Sequence, residues 1–212
     1  MKHRTAFKGF LYQMTQKRAG RPRTFDEGEA LNAAIQVFWA KGYDGASLKD
    51  LTEAMGINSP SLYGAFGDKH SLFLKTITQY ADGGGCPPIA AFEAEPDITA
   101  AVRAFLEAAI TYASSDDGPS GCYLSSSVVT SAEEVAGVKP LLTAAIDKVE
   151  TRLAARFEAE KAAGALPPDF PSRARARLMF DIRQGLVYRA RAGVDVATMR
   201  EGLADHARMV VG

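Results

Sequence analysis

Between Gly56 and Gly67 the chain holds Asn58, Ser59 and Ser61, three small hydrogen-bonding residues, with Tyr63 and Gly64 close behind. Such side chains read base edges when they stand on the exposed face of a short helix, because a bulky apolar face would not enter the major groove. The free N–H groups and positive dipole end at that helix's N-terminus suit a phosphate. Tyr63 and Lys69 flank the segment and reach backbone oxygens. Plainer readings stand beside these. Ser47 and Asn58 serve equally as helix caps, a role compatible with contacting DNA. Tyr63 as a core residue is the weaker reading, since Leu62 and Phe66 already define a buried stripe. Lys69 as an ordinary solvated lysine is a serious rival.

Helices must position these residues. Leu31, Ala34, Ile35 and Phe38 recur at i, i+3, i+4 and i+7, so a first helix starts near Phe25–Asp26 with one apolar face. Asp26 and Glu27 favour its N-terminus, and Gly42 stops it. Ser47 caps a second helix with Leu48, Leu51 and Met55 inward, and Asp50 three residues on completes a capping-box pattern. Gly56 breaks that helix. Asn58 or Ser59 caps a short third, with Pro60 in its first turn, where the missing N–H costs nothing. Gly67-Asp68 opens a fourth, carrying Phe73, Ile77 and Tyr80. Two short helices joined by a glycine turn form a helix-turn-helix pattern.

The run Asp82-Gly83-Gly84-Gly85-Cys86-Pro87-Pro88 reads as a break and a domain junction. Five further helical segments follow. One carries Val102, Phe105, Leu106, Ala109 and Ile110; one spans about 123–134; a long one carries Val138, Leu142, Ile146, Val149, Leu153 and Phe157 on one stripe. The last two span about 173–192 and 196–211. No strand-like alternation and no repeat is visible.

Bulk properties narrow the classes. The 212 residues are 47% hydrophobic, enough for a large core, yet no apolar run approaches the roughly 20 residues of a membrane helix. The basic N-terminus lacks the apolar stretch of a signal peptide, and the chain reads as cytoplasmic. Its net charge of zero hides a segregation: Lys2, Arg4, Lys8, Lys17, Arg18, Arg21 and Arg23 stand in the first 25 residues with no acid, and all 25 acidic residues come later. A basic arm ahead of a mildly acidic body fits a polyanion at one end, or a solvated tail. Met14, just before the basic stretch, is a candidate true start. Cys86 and Cys122, and His3, His70 and His206, form no metal-ligand spacing. With no phosphate loop, nucleophile elbow or metal cluster, the sequence points to no enzyme and no cofactor.

The run Ala30–Tyr80 resembles the DNA-binding domain of the TetR family. The matching elements are Ala33-Ala34-x-x-x-Phe38, Lys41-Gly42-Tyr43, Ser47-Leu48-x-x-Leu51, Ala54-x-Gly56-Ile57, Ser61-Leu62-Tyr63-x-x-Phe66-x-x-Lys69 and Leu72-Phe73. The resemblance implies an all-α protein with an N-terminal three-helix helix-turn-helix domain and a larger C-terminal helical domain for ligand binding and dimerisation. The expected divisions are a basic flexible arm (1–24), the DNA-binding domain (25–70) and the ligand and dimer domain (71–212). It implies phosphate contact by Ser47, base contact by Asn58, Ser59 and Ser61, and a backbone grip by Tyr63 and Lys69. Arg21 and Arg23 match an arm that enters the minor groove. Gly64 and Ala65 depart from relatives that carry larger polar residues there.

The same resemblance implies a homodimer on a palindromic site of double-stranded DNA, and an unknown small-molecule effector whose binding shifts the fourth helix. Dimer candidates are Met179, Ile182, Leu186 and Ala190 with Val196, Met199, Leu203, Ala207 and Val210; intrachain packing would use the same stripes. Effector candidates are Phe105, Tyr112, Cys122, Tyr123 and Arg183, with Phe92, Phe157 and Tyr188 behind them, although aromatics are more often plain core. Arg183, close to an apolar stripe, neutralises either a ligand carboxylate or a partner-subunit acid. Cys122, expected to open a helix, is either a thiol of lowered pKa or, the preferred reading, a small buried hydrophobe. The rival function is an architectural DNA binder with no effector.

Overall fold

The computed structural model describes residues 25–83, 86–115 and 121–212. The basic arm, with Arg21, Arg23 and the candidate start Met14, lies outside the described residues.

Asp26 accepts the Glu29 N–H at 2.8 Å and opens α1 (Glu27–Gly45), whose Ala30, Ala34, Ile35 and Phe38 are buried. Gly42 leaves helical geometry at φ 73° and ψ 176°, so the regular helix ends where the glycine predicts. Ser47 caps α2 (Leu48–Met55), and Gly56 ends it in the left-handed region at φ 64°. Asn58 caps α3 (Ser59–Phe66), and Asp68 caps α4 (Lys69–Asp82). Phe38, Trp39, Leu51, Leu62, Phe66 and Phe73 form one core beneath these four helices. Tyr123, Val128 and Val138 enter that core from the later part of the chain.

A second core joins α5 (Pro87–Ala94), α6 (Ile98–Ala113), α8 (Val138–Ala162), α9 (Ser172–Arg191), α10 (Val196–Glu201) and α11 (Leu203–Val211). Phe92, Phe105 and Phe157 sit at its centre, with the Phe92–Phe157 ring centroids 5.7 Å apart and near edge-on. Arg156 fastens α5 to α8, donating to the carbonyls of Glu95 and Pro96 at 3.0 Å each. Among the described residues there is no strand, and no helix is long and apolar enough to cross a membrane.

Four expectations are corrected. The break read over residues 82–88 is shorter at its far end: α4 stops at Asp82, but Pro87 and Pro88 form the first turn of α5, because proline needs no N–H there. The helix expected over 123–134 is one turn, α7 (Tyr123–Ser126), followed by a 3₁₀ turn, Val128–Ser131. Serine hydroxyls take over the backbone's partners: Ser126 Oγ accepts the Cys122 N–H at 3.1 Å, and Ser127 Oγ donates to the Phe38 carbonyl at 2.8 Å. The last helix is interrupted at Gly202. Finally, Met179, Leu186, Met199, Leu203, Ala207 and Val210, expected at a dimer interface, are buried in the chain's own second core, and Ile182, Ala190 and Val196 pack partly buried against it. The periodicity marked a buried face correctly but not which partner buries it.

Candidate nucleic-acid interface and internal cavity

The polar groups of α2 and α3 are held by their own caps. Ser47 Oγ accepts the Asp50 N–H at 3.1 Å, and Asp50 Oδ2 accepts the Ser47 N–H at 3.0 Å, closing a capping box. Lys41 Nζ lies 2.6 Å from the other Asp50 oxygen. The Lys41 ammonium, with the Ser47 hydroxyl and N–H, holds the Asp50 carboxyl well below the usual carboxylate range. Asn58 Oδ1 accepts the Ser61 N–H at 2.9 Å. Leu62 and Phe66, both fully buried, set the rotation of α3. That rotation turns Ser59, Pro60, Tyr63 and Gly64 outward and leaves Ser61 half-buried.

Tyr63 is 51% exposed, so it is a surface residue and not core. Lys69 is tied down: its ammonium stands 4.6 Å from the Tyr43 ring centroid and 3.5 Å from the Asp44 carbonyl. Ser47, Asn58, Ser59, Ser61 and Tyr63 thus share the α2–α3 surface, with Lys69 at its edge beside Tyr43. Pro60 and Lys41 belong to this neighbourhood without having been singled out. Pro60 starts α3 and also stands exposed on its outer face. Lys41 is visible in the sequence only as part of the Lys41-Gly42-Tyr43 turn.

The second site is a partly open cavity of about 160 Å³ lined by α4, α7, α8 and α9. Leu142, Ala145, Ile146 and Val149 of α8 form one wall. Leu142, Ile146 and Val149 are the middle of the α8 stripe, and Ile146 stays 40% exposed because it faces open space and not packed side chains. Opposite stand Tyr80 and Ala81 of α4 and Phe180, Arg183 and Gln184 of α9, with Cys86 and Cys122 between. A neighbouring cavity of about 210 Å³ shares Tyr80, Cys86 and Arg183 and adds Tyr112. The sequence candidates Tyr112, Cys122 and Arg183 therefore converge. Phe105 and Tyr123 do not join them: Phe105 packs in the second core, and the Tyr123 hydroxyl meets Thr76 Oγ1 at 2.9 Å inside the first. Phe92 and Phe157 are core as well, and Tyr188 points outward at 74% exposure.

Arg183 is only 7% exposed, yet no carboxylate of the described residues pairs with it. One Nη donates to Gln184 Oε1 at 2.9 Å, and Nε has no partner. Burial opposes ionisation of the Cys122 thiol, but the Arg183 guanidinium, helped by hydrogen bonds from the Ser125 backbone and Tyr80, outweighs it and holds the thiol below its ordinary value. Cys122 does open a helix, but α7 is a single turn, and the Arg183 guanidinium is the largest of the causes that lower the thiol's pKa. Tyr80 hydroxyl lies 3.2 Å from that of Tyr112 and 3.7 Å from Cys122 Sγ. Burial, with Cys122 and Tyr112 adding to it, pushes the Tyr80 hydroxyl far above its ordinary value. Tyr80 and Cys86 could not be picked out beforehand: Tyr80 sits on the apolar face of its helix, and Cys86 is 36 residues from Cys122 in the chain. No group of acids, histidines and cysteines among the described residues is arranged to hold a metal.

Two short capped helices over a buried core, the second offering small polar side chains outward, make a helix-turn-helix DNA-binding unit. Residues 30–76 match the sequence model of the bacterial regulatory proteins of the tetR family. The chain is 31% identical to the TetR-family transcriptional regulator CifR, solved as a cysteine mutant complexed with a 26 bp double-strand operator DNA; the match covers 89% of this chain and 98% of that one, with a TM-score of 0.78. It is 29% identical to the transcriptional repressor ComR of Escherichia coli K12, over 89% of this chain and 90% of that one. It is 39% identical to the repressor BdcR of the same organism over about half of each chain (49% and 52%). The chain belongs to the TetR family and is a DNA-binding transcriptional regulator.

Proposed function

We propose that this chain is a repressor that binds a palindromic operator as a homodimer and leaves it when a small molecule enters the α4–α9 cavity. The observation that carries the DNA reading is the exposed polar face of α3, fixed by Asn58 on one side and by Leu62 and Phe66 on the other. In this reading Asn58, Ser59 and Ser61 meet base edges, Ser47 and Tyr63 meet phosphates, Lys69 supports the backbone grip, and Arg21 and Arg23 enter the minor groove. The full-length likeness to a regulator solved on operator DNA supports it. A DNA partner places the protein's work in the cytoplasm, and the reading assigns it no catalysis.

A second subunit has a surface to use. The outward side of α9 presents Ala174, Leu178, Asp181, Gly185 and Tyr188 at helical spacing, and Met209 of α11 is 55% exposed. A glycine and an alanine on such a stripe let another helix approach closely. Two α3 helices one DNA turn apart then read successive major grooves.

Effector binding reaches the DNA-binding unit through α4. Its Leu72, Phe73 and Ile77 pack in the first core, and its Tyr80 and Ala81 wall the cavity. The domain division at residues 70 and 71 therefore puts α4 with the effector unit while its first turns hold the DNA-binding unit. A ligand that displaces Tyr80 moves α4 and changes the spacing of the two reading helices, a coupling on the order of 1–3 kcal/mol. The test is fluorescence anisotropy of full-length protein with DNA from upstream of its own gene, at about 0.15 M salt with excess random competitor. Binding that survives competitor is expected. Binding that competitor erases sinks operator specificity and leaves an architectural binder.

A further inference from the structure

We propose that the cavity takes a small monocarboxylate with an apolar body about the size of one aromatic ring, and that Arg183 is the anchor for its carboxylate. This rests on the reading that the cavity is the effector site.

Arg183 holds a charge in an unfavourable place. A buried guanidinium is normally offset by an acid, because an isolated charge out of water costs several kcal/mol. Arg183 has no such partner among the described residues, and its Nε donates to nothing. Among the described residues, the titratable groups that act on it are the thiols of Cys122 and Cys86 and the hydroxyls of Tyr80 and Tyr112. Gln184 Oε1 takes one Nη and the Cys122 thiol takes a further hydrogen bond, which leaves the Nε edge of the fork without a partner. A carboxylate matches that edge in shape and charge.

The remainder of the cavity sets the rest of the ligand. Ser125 and Gln184 add polar groups to the lining, but Leu142, Ala145, Ile146, Val149 and Phe180 offer no hydrogen bonds, so the part of the ligand that faces them is apolar. The volume of about 160 Å³ is close to that of an apolar cavity that admits one benzene molecule, roughly 150 Å³. A dianion such as a phosphate monoester would bring a second charge with no cation to meet it. Tyr80 and Cys122 lie at the guanidinium end, so a carboxylate held there presses on the α4 residue that leads to the DNA-binding unit.

The experiment is calorimetric titration of the full chain with phenylacetate, phenylacetamide and benzyl alcohol, repeated on Arg183→Met and Arg183→Lys. Wild type is expected to bind phenylacetate at least tenfold tighter than phenylacetamide. Arg183→Met should lose that preference while still binding benzyl alcohol, which also shows that the variant is folded, and Arg183→Lys should keep part of it. Equal binding of acid and amide by wild type overturns the carboxylate anchor and leaves the effector cavity standing. Absence of saturable binding by all three probes overturns both. Loss of the acid preference in Cys122→Ser with retention in Arg183→Met assigns the anchor to the thiol and overturns the proposal as well.

Discussion

At the starts of α2 and α3, Ser47, Asp50 and Asn58 satisfy the helix N–H groups within a few residues of themselves, at 2.9–3.1 Å, and in view of solvent. On α9 the opposite holds: Arg183 is buried, carries a full charge, and leaves Nε unpaired. Both sites consist of polar groups on helices over apolar cores, and they differ in when their polar groups are satisfied. The DNA-facing helices are complete before any partner arrives, so they meet DNA as a rigid body. The cavity is left incomplete and gains most from a ligand that supplies what is missing. A regulator needs both kinds of site, one that keeps its shape and one whose balance a small molecule can tip.

Breaking the rigid side at its foundation should have the largest effect. Phe66→Ala empties a fully buried ring site under α3 and should cost about 3–5 kcal/mol of stability, visible in denaturant unfolding, with loss of DNA binding. On the incomplete side the sign reverses. Arg183→Met removes an unpaired buried charge and should leave stability unchanged or raise it by about 1 kcal/mol or more, by the logic that favours apolar replacements of buried ions. A clear fall in melting temperature would mean that Arg183 is structurally satisfied. Asn58→Ala should cost about 1 kcal/mol through the lost cap, whereas Asn58→Gly should cost only a few tenths. If Asn58 also touches DNA, both variants should lose operator affinity equally in anisotropy; a loss that tracks stability alone would make Asn58 a cap only.

The smallest effects sharpen the comparison. Asp50 titrates at lower pH when folded than when unfolded, because Lys41 and Ser47 hold its charged form. Its contribution is therefore complete above the unfolded carboxyl pKa, about 3.9, and is lost as pH falls through the lower folded value. Asp50→Asn should flatten that part of the acid limb of unfolding and leave the neutral and alkaline limbs parallel to wild type. Tyr63→Phe should change stability by less than about 0.5 kcal/mol at so exposed a position, while weakening operator binding by the several-fold worth of one hydrogen bond, about 1 kcal/mol.

The DNA-binding unit was legible in the sequence almost residue by residue, and the cavity was not. Caps, glycine stops and the Leu62–Phe66 stripe are local signals: each acts within one helical turn, so linear order carries it. The cavity joins Tyr80, Cys86, Cys122, Leu142 and Arg183, which no periodicity relates. Among the aromatic and reactive candidates Cys122 and Arg183 came together there, with Tyr112 in the neighbouring cavity, while Phe105 and Tyr123 went to the two cores. The α8 stripe shows the limit most clearly. From Val138 to Phe157 it is one pattern, yet its ends pack in two different cores and its middle lines empty space. Apolar spacing records that a face avoids water and says nothing of whether protein or ligand covers it.

Gly64 faces outward from α3, and a Cβ built on it meets nothing within 4 Å. A side chain added there has no fold to disturb, and leaving glycine in a helix interior recovers about 0.5–1 kcal/mol. Under the proposed DNA reading the position is a blank letter in the protein's recognition alphabet: a single substitution there would add a side chain on the DNA-facing side and gain stability in the exchange.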